Sequence, residues 1–118
     1  MSYDINNIFA KILRGEIPCD KVYEDEFALA FNDINPQAPI HVLVIPKGEY
    51  ISMSDFSANA PADLIAGFFR AVGKVSKQLE LHDKGYRILA NIGDDGGQEV
   101  PHLHIHIFGG KRLGRMIS

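Results

Sequence analysis

The spacing of apolar and polar residues along this chain predicts two helices. Apolar side chains in the segment 6–14 recur at i, i+1, i+4 and i+5, which is typical of a short amphipathic helix. A longer segment begins near Pro61 and keeps its apolar side chains on one face through Leu79, which predicts the main core helix. Gly67 and Gly73 fall inside it. Because glycine weakens a helix intrinsically, we expect both to mark close packing against a sheet.

Short apolar runs bounded by turn residues predict five strands. The connections between the early strands are short, which favours antiparallel pairing. One long helix cannot cover both faces of such a sheet, so one face must meet solvent, a ligand or another subunit. The predicted strands are 21–24, 27–32, 41–46, 86–91 and 102–108.

Composition and charge narrow the possible classes of protein. The 118 residues fit one domain, 1–118, and the net charge of −3 argues against a protein that coats nucleic acid. A single nucleotide in a small pocket remains compatible with that charge, since one phosphate needs only a few donors. We expect no membrane span and no secretory signal, because no long apolar run is present. The lone cysteine, Cys19, fits a reducing compartment, so we expect a cytoplasmic protein.

Three histidines alternate with apolar residues near the C-terminus. Side chains of equal parity on a strand share a face, about 6.6–6.8 Å apart. We therefore expect Leu103 and its apolar partners to face the core helix, and the imidazoles to point together to the other side. The histidines are His102, His104 and His106, and they follow a glycine-rich loop at 91–98.

This row of imidazoles has three interpretations. It could be an exposed polar face, or an H-x-H zinc chelate completed by His41, Cys19 or Glu99. It could also catalyse attack on phosphorus, because a neutral imidazole is a good nucleophile near its reference pKa of about 6.5. Such attack gives a phospho-histidine that water resolves. Neighbouring imidazoles and the glycine-rich backbone at 96–100 would then stabilise the phosphate oxygens.

The segment 102–108 has the form His-φ-His-φ-His-φφ, where φ is an apolar residue, and it resembles the signature of the histidine-triad (HIT) family. The chain is similar to the Hint branch of that family along nearly its whole length. The stretches DINPQAPIH and GGQEV, in that order, make the resemblance strong. Matching stretches are 8–12, 15–18, 30–34, 36–41, 44–47 and 96–100.

The resemblance implies a HIT-like α+β fold, with a five-stranded antiparallel sheet and two helices, whose sheets join across a two-fold dimer. It implies a purine nucleoside phosphoramidase that cleaves the P–N bond of adenosine 5′-phosphoramidates and releases AMP. A dinucleoside polyphosphate hydrolase or nucleotidyl transferase is the alternative on the same fold, and a nucleotide-binding interaction module with little turnover is another. We expect no cofactor and no metal, since Ala10 stands where zinc-carrying relatives have a cysteine.

The resemblance also implies roles for particular residues. His104 matches the nucleophile, and His106 and Gln98 match phosphate ligands. His102 and His41 match residues that fix the orientation of neighbouring rings. The expected nucleotide contacts are Asp33 at the ribose, Asn91 near the phosphate, the loop residues Gly97, Glu99 and Val100, and a base pocket of Ile8, Phe9, Ile12, Ile34 and Leu43.

Glu99 departs from the family pattern, because some relatives carry a serine there that is thought to protonate the leaving amine. A carboxylate pointing inward would repel a phosphate oxygen. We expect Glu99 to offer its backbone N–H and turn its side chain away, or to act in its protonated form, which leaves the leaving-group acid open.

Overall fold

A computed structural model describes residues 2–117. Five strands form one antiparallel sheet in the order β1-β2-β3-β5-β4, which confirms the predicted sheet. No helix in the described part of the chain has the length and apolar character needed to cross a bilayer. The elements are α1 (Ile8–Leu13), β1 (Lys21–Glu24), β2 (Ala28–Asn32), β3 (Ile40–Pro46), α2 (Met53–Asn59), α3 (Ala62–Gln78), β4 (Arg87–Leu89) and β5 (Ile105–Gly109).

The helix α2 is an element that the apolar pattern did not predict, so residues 2–117 form three helices rather than two. Its start is specified by a capping box, in which the Ser52 side chain accepts from the backbone of Ser54 and the Asp55 side chain accepts from the Ser52 N–H. Pro61 separates α2 from α3. The Ser-x-x-Asp spacing is therefore the sequence signal for this element.

One face of the sheet carries the main core. Alternate residues of β3 and β5 point to α3, which lies across that face with an apolar stripe. Gly67 of α3 is where the helix approaches the β1–β2 hairpin, since a Cβ there would lie 2.3 Å from the Phe27 ring. Gly73 has no such neighbour among the described residues, so the expectation of close packing is right for Gly67 and wrong for Gly73. The main core includes Val42, Val44, Phe68, Val72, Val75, Leu103, Ile105 and Ile107.

The opposite face is covered only in part, by the short helix α1. Phe9 of α1 packs over the β2–β3 half of the sheet, with Phe31 and Leu43 beneath it. Asn7 caps α1, and its side chain accepts from the Ala10 N–H at 2.8 Å. The uncovered remainder of this face, where β3 and β5 pair, is the place left for a ligand.

The final strand begins later than predicted, so His102 and His104 precede β5 rather than lie within it. The His102 N–H bonds the Val100 carbonyl at 2.9 Å, and the Leu103 N–H bonds the Tyr50 carbonyl at 2.8 Å. These partners lie outside the sheet and bend the chain before it joins β3. Leu103 nevertheless enters the main core, so the inward and outward alternation is kept.

Candidate active site

Two histidines that are distant in sequence form a direct ring-to-ring hydrogen bond. The backbone N–H of Gln37 donates to His41 Nδ1 at 3.0 Å, so that nitrogen is an acceptor. The proton of neutral His41 therefore lies on Nε2, which is 2.9 Å from His106 Nδ1 and donates to it. The strand register makes this contact possible, because His41 lies opposite Phe108 and Leu43 lies opposite His106 across the β3–β5 ladder.

This bond decides which nitrogen of His106 carries the proton. Since Nδ1 accepts from His41, the hydrogen of neutral His106 lies on Nε2. Nε2 is buried and has no hydrogen-bond partner within residues 2–117. A buried donor without a partner is unusual, and this one belongs to a ring that borders the cavities described below.

His104 has the complementary proton arrangement. Its Nδ1 lies 2.8 Å from the His102 carbonyl, which can only accept, so Nδ1 carries the proton and Nε2 keeps its lone pair. The Phe9 ring packs against it edge-on at 5.0 Å, and the rings of His104 and His106 have centroids 5.0 Å apart. Burial lowers the pKa of His104 below its usual value, partly opposed by the His102 carbonyl and by nearby carboxylates. The imidazole is thereby neutral near pH 7.

His102 lies behind the other two rings and is fully buried, with 0% of its surface exposed. Its Nε2 bonds the Pro46 carbonyl at 3.1 Å, and its Nδ1 lies 2.5 Å from the Tyr3 hydroxyl oxygen. Burial lowers the pKa of His102 to about 4, and burial with two neighbouring imidazoles lowers the pKa of His106 to about 4 as well. All three rings of the row are thus held in their neutral forms.

Two adjoining cavities meet at these rings. The first is mainly apolar, has a volume of about 350 Å³ and lies beneath α1. The second is mainly polar, has a volume of about 290 Å³ and opens toward the glycine-rich loop. The residues that line both cavities are Asp33, Glu99, His104 and His106.

Most of the predicted site residues border one of these cavities. The polar cavity is lined by His41, Asn91 and Gly97 in addition to the shared four. The apolar cavity is lined by all five residues predicted for the base pocket and by one residue of the loop. These six are Ile8, Phe9, Ile12, Ile34, Leu43 and Val100.

Gln98 is placed differently from the expectation that it binds phosphate. Its side-chain amide donates to the carbonyls of Ile51 (2.6 Å) and Val100 (2.9 Å), and its side-chain oxygen accepts from the Gly93 N–H at 3.1 Å. It borders neither cavity. In this structure Gln98 braces the loop, and its amide would have to leave these partners to reach a phosphate oxygen. Glu99, by contrast, is exposed at the boundary of the two cavities, and its charge only partly opposes the lowering of the pKa of His104 by burial.

Asp33 lies where the loop after β2 meets the histidines. One carboxylate oxygen accepts from the Asn35 N–H at 2.8 Å, and the other lies 3.4 Å from His41 Nε2. The carboxylate is half-buried and borders both cavities. It is therefore positioned to accept hydrogen bonds from a ligand that spans the two.

Several residues that shape the site were not predicted from the sequence. Gln37 orients His41 through its backbone, and Tyr3 reaches His102 from the N-terminal segment. For Gln37 the sequence offered the proline-containing loop 33–39 and the matching stretch 36–41. The other lining residues that were not predicted are Asn35 in the polar cavity and Ile17, Pro18, Cys19, Asp20, Phe31 and Asn32 in the apolar one.

A possible metal-binding group differs from the one considered for zinc. Asp33, His41 and His106 each offer a ligand atom, and these atoms lie within 4.8 Å of one another. Cys19 and Glu99 are not part of this group. A cation here would have to replace the proton shared by His41 and His106, so the same residues cannot serve both arrangements at once.

Comparisons with known proteins find relatives over most of this chain. The HIT domain family matches residues 14–113 of the chain. A 13.2 kDa HIT-like protein of Azospirillum brasilense, itself uncharacterised, is 65% identical over 117 residues, which cover 99% of this chain and 96% of that protein. A purine nucleoside phosphoramidase of Escherichia coli K12 is 42% identical over 111 residues, which cover 94% and 92%.

Solved structures give the same result for the fold. A histidine triad protein from Clostridium difficile superimposes with a TM-score of 0.86 at 45% identity, covering 97% of this chain and 98% of that one. A HIT family hydrolase from Legionella pneumophila gives a TM-score of 0.88 at 39% identity, covering 96% and 100%.

Proposed function

This chain belongs to the HIT domain family, and on that premise we propose that it hydrolyses the P–N bond of purine nucleoside 5′-phosphoramidates and releases the nucleoside monophosphate. The observation that carries the proposal is the pair of complementary imidazoles. His104 presents a lone pair on Nε2, and the adjacent His106 presents an Nε2–H that no group in residues 2–117 accepts. A nucleophile beside a donor for a developing oxyanion is what phosphoryl chemistry requires.

The proposed reaction has two steps. His104 Nε2 attacks the phosphorus, a bond between them forms, and the bond from phosphorus to the amine breaks, with the amine taking a proton from solvent. The cation that develops on His104 is stabilised through its Nδ1–H, which already bonds the His102 carbonyl. Water then attacks the phosphorus, the His104–phosphorus bond breaks, and the water gives up a proton as the monophosphate leaves. The Nε2–H of His106 would bond a phosphate oxygen throughout.

The two cavities support a nucleoside monophosphate as the common part of the substrates. The cavity beneath α1 has apolar walls suited to a purine, with Phe9 and Leu43 among them. Asp33 stands at the boundary, where ribose hydroxyls could donate to its carboxylate. The phosphate would then lie against His104 and His106, and the leaving group would occupy the polar cavity. The naming of the Escherichia coli relative as a phosphoramidase supports the same assignment.

The second candidate, a dinucleoside polyphosphate hydrolase, is less well supported by the charges of the site. A polyphosphate leaving group carries several negative charges and is normally met by Arg, Lys or a metal ion. Among the described residues that line the two cavities there is no Lys or Arg, while three carboxylates lie there, those of Asp20, Asp33 and Glu99. A neutral or cationic amine is the leaving group that this lining favours.

The test combines turnover with trapping of the intermediate. Purified protein should release AMP from an adenosine 5′-phosphoramidate, and rapid quenching followed by mass spectrometry should find AMP attached to the peptide that carries His104. His104→Asn should lose both signals, while His82→Asn, a surface variant, should keep both. Binding of AMP without turnover by the wild type would instead favour the nucleotide-binding module, and faster cleavage of a dinucleoside polyphosphate would favour the second candidate.

We also propose that the protein works in the reducing cytoplasm as a two-fold dimer. The free thiol of Cys19 supports the compartment. Exposed apolar side chains on and beside the edge strand β4 support pairing through this edge, including Ile88, which is 46% exposed. Sedimentation of wild type and Ile88→Lys compares the oligomeric states directly, and a monomeric wild type would contradict the dimer.

A further inference from the structure

The N-terminal segment reaches the back of the histidine row through one side chain. The Tyr3 hydroxyl lies 2.5 Å from His102 Nδ1, and the two rings meet edge-on with centroids 5.7 Å apart. The other nitrogen of His102 bonds the Pro46 carbonyl, which can only accept, so the ring proton lies on Nε2. Nδ1 is therefore an acceptor, and the Tyr3 hydroxyl is its donor. Burial raises the pKa of Tyr3, which keeps the phenol protonated.

Tyr3 is held in this place by the start of α1. The side chain of Asn7, which caps α1, donates to the Asp4 carbonyl at 2.7 Å, and the Asn7 backbone N–H bonds the same carbonyl at 3.2 Å. The Arg14 guanidinium donates to the Ile5 carbonyl at 2.8 Å. Asn7 is itself buried. These bonds anchor residues 4 and 5 against α1, and Tyr3 is the residue directly before them in the chain.

The fixed ring of His102 has a consequence for His104. The carbonyl of His102 is the group that accepts the His104 Nδ1–H at 2.8 Å, and this bond leaves the lone pair of His104 on Nε2. A His102 ring that is bonded at both nitrogens and fully buried cannot rotate without losing a partner. The ring and the carbonyl are attached to the same Cα, so a His102 residue that shifts to give an unpaired ring nitrogen a new partner carries with it the acceptor of His104.

Tyr3 does not touch either of the cavities assigned to the substrate. It borders a separate depression on the other side of α1, with Ile5, Arg14 and Glu49 among its walls. It also lies ahead of residues 14–113, the part of the chain that the family matches. Tyr3 therefore reaches the site through its bond to His102 and not through contact with a nucleotide.

We propose that Tyr3 is a positioning residue for the reaction, acting through His102 to hold His104 in the tautomer that leaves Nε2 free to attack. This inference rests on the proposed function, in which His104 is the nucleophile. The hydroxyl satisfies a buried acceptor that nothing else in residues 2–117 reaches, and the N-terminal segment thereby becomes part of the catalytic apparatus.

The test is Tyr3→Phe, which removes one oxygen atom and keeps the ring. We expect kcat to fall roughly tenfold or more, since small displacements of a reacting group cost this much, with KM unchanged because Tyr3 does not border the substrate cavities. The acidic limb of the pH profile should also move to lower pH, because the hydrogen bond that His104 donates to the His102 carbonyl raises the pKa of His104 and would be weakened. Loss of stability alone would not move that limb.

Tyr23→Phe is the matched control, because its hydroxyl also donates a hydrogen bond, to Asp25 at 2.8 Å, on the strand β1 at the far edge of the sheet. It should leave kcat and the pH profile as in the wild type. The proposal is overturned if Tyr3→Phe and Tyr23→Phe have the same kcat and the same pH profile.

A spectroscopic measurement separates this inference from the proposed function. Long-range ¹H–¹⁵N spectra distinguish a protonated ring nitrogen from an unprotonated one. Wild type should show His102 and His104 as single tautomers, protonated on Nε2 and Nδ1 respectively, and Tyr3→Phe should show a mixture for His104. If the wild type has no phosphoramidase activity but the spectra change as expected, the proposed function fails and the positioning contact stands. If wild type is active and neither the spectra nor kcat change, the positioning role fails alone.

Discussion

His41 Nε2 donates to His106 Nδ1 across 2.9 Å, although 65 positions separate the two residues in the chain. This bond forces the proton of His106 onto Nε2, the buried donor that faces the site without a partner among residues 2–117. One contact between adjacent strands thus converts an ordinary imidazole into an oriented N–H donor.

The first prediction concerns this pair. His106→Ala should lower kcat by about 10²–10³-fold, the usual loss when one oxyanion donor is removed. His41→Ala should lower kcat less, by about tenfold, since His106 keeps its ring but no longer has a fixed tautomer. Steady-state release of AMP measures both. If neither substitution changes kcat appreciably, His106 does not bind the phosphate.

The second prediction concerns recognition of the sugar. Asp33→Asn should raise KM for a ribonucleotide phosphoramidate by roughly tenfold or more, because a charged acceptor for the hydroxyls is lost. The asparagine oxygen can still accept from the Asn35 N–H, so the loop should stay in place. A 2′,3′-dideoxy substrate is the control, and its KM should change little. Similar increases for both substrates would mean that Asp33 acts on something other than the ribose.

The third prediction is the dependence of stability on pH. Burial lowers the folded-state pKa of His102 to about 4, below the value of about 6.5 for an unfolded chain. Between these values the unfolded chain binds more protons, so the free energy of unfolding decreases as the pH falls through that window. For His102 alone the decrease amounts to about 3 kcal/mol between pH 7 and pH 4.

Urea denaturation across that pH range measures this decrease. The lowered pKa of His106 acts in the same direction, so His106→Gln should make the stability of the protein less sensitive to pH. A free energy of unfolding that stays level from pH 7 to pH 4 would contradict the burial of neutral imidazoles.

The fourth prediction compares two glycines of α3. Gly67→Ala should destabilise the protein by about 1–3 kcal/mol, since the new methyl would lie 2.3 Å from the Phe27 ring. Gly73→Ala meets no described atom within 4 Å and should stabilise the helix by roughly 0.5–1 kcal/mol. Chemical denaturation measures the free energy of unfolding of each variant. If α3 packs against the hairpin as described, this free energy decreases for Gly67→Ala and increases for Gly73→Ala.

The fifth prediction concerns metals. Activity should persist in EDTA, because the proposed reaction uses no metal ion. The position that a cation could take between His41 and His106 is occupied by the proton of their hydrogen bond. Added zinc should inhibit by displacing that proton and occupying the group formed with Asp33. If His41→Ala relieves the inhibition, the zinc ion binds at this group. An enzyme that EDTA inactivates and zinc restores would instead require a metal-dependent mechanism.

Much of this molecule was predictable from local patterns. The alternation in 102–108 placed Leu103, Ile105 and Ile107 in the core, and the structure confirms them there. The five strands were predicted to within a few residues of their bounds, because an apolar period of two reports directly which face of a strand is buried. The capping box at Ser52 could have been recognised too, since its signal lies within four residues.

Contacts between distant segments were not predictable in this way. Gln98 was expected at the phosphate, yet its amide bonds the Ile51 carbonyl, a partner that no local spacing points to. Tyr3 reaches His102 only because α1 folds back over the sheet.

Composition and local periodicity are enough to assign the apolar residues, the face that each takes and the row of three imidazoles. The protonation pattern of that row depends instead on contacts between distant segments. The tautomer of each ring depends on its hydrogen-bond partner, and those partners (His41 for His106, the His102 carbonyl for His104, Tyr3 and Pro46 for His102) come mostly from other strands and loops. Strand register and the path of the loops bring them together, and the chemistry of the site depends on the result.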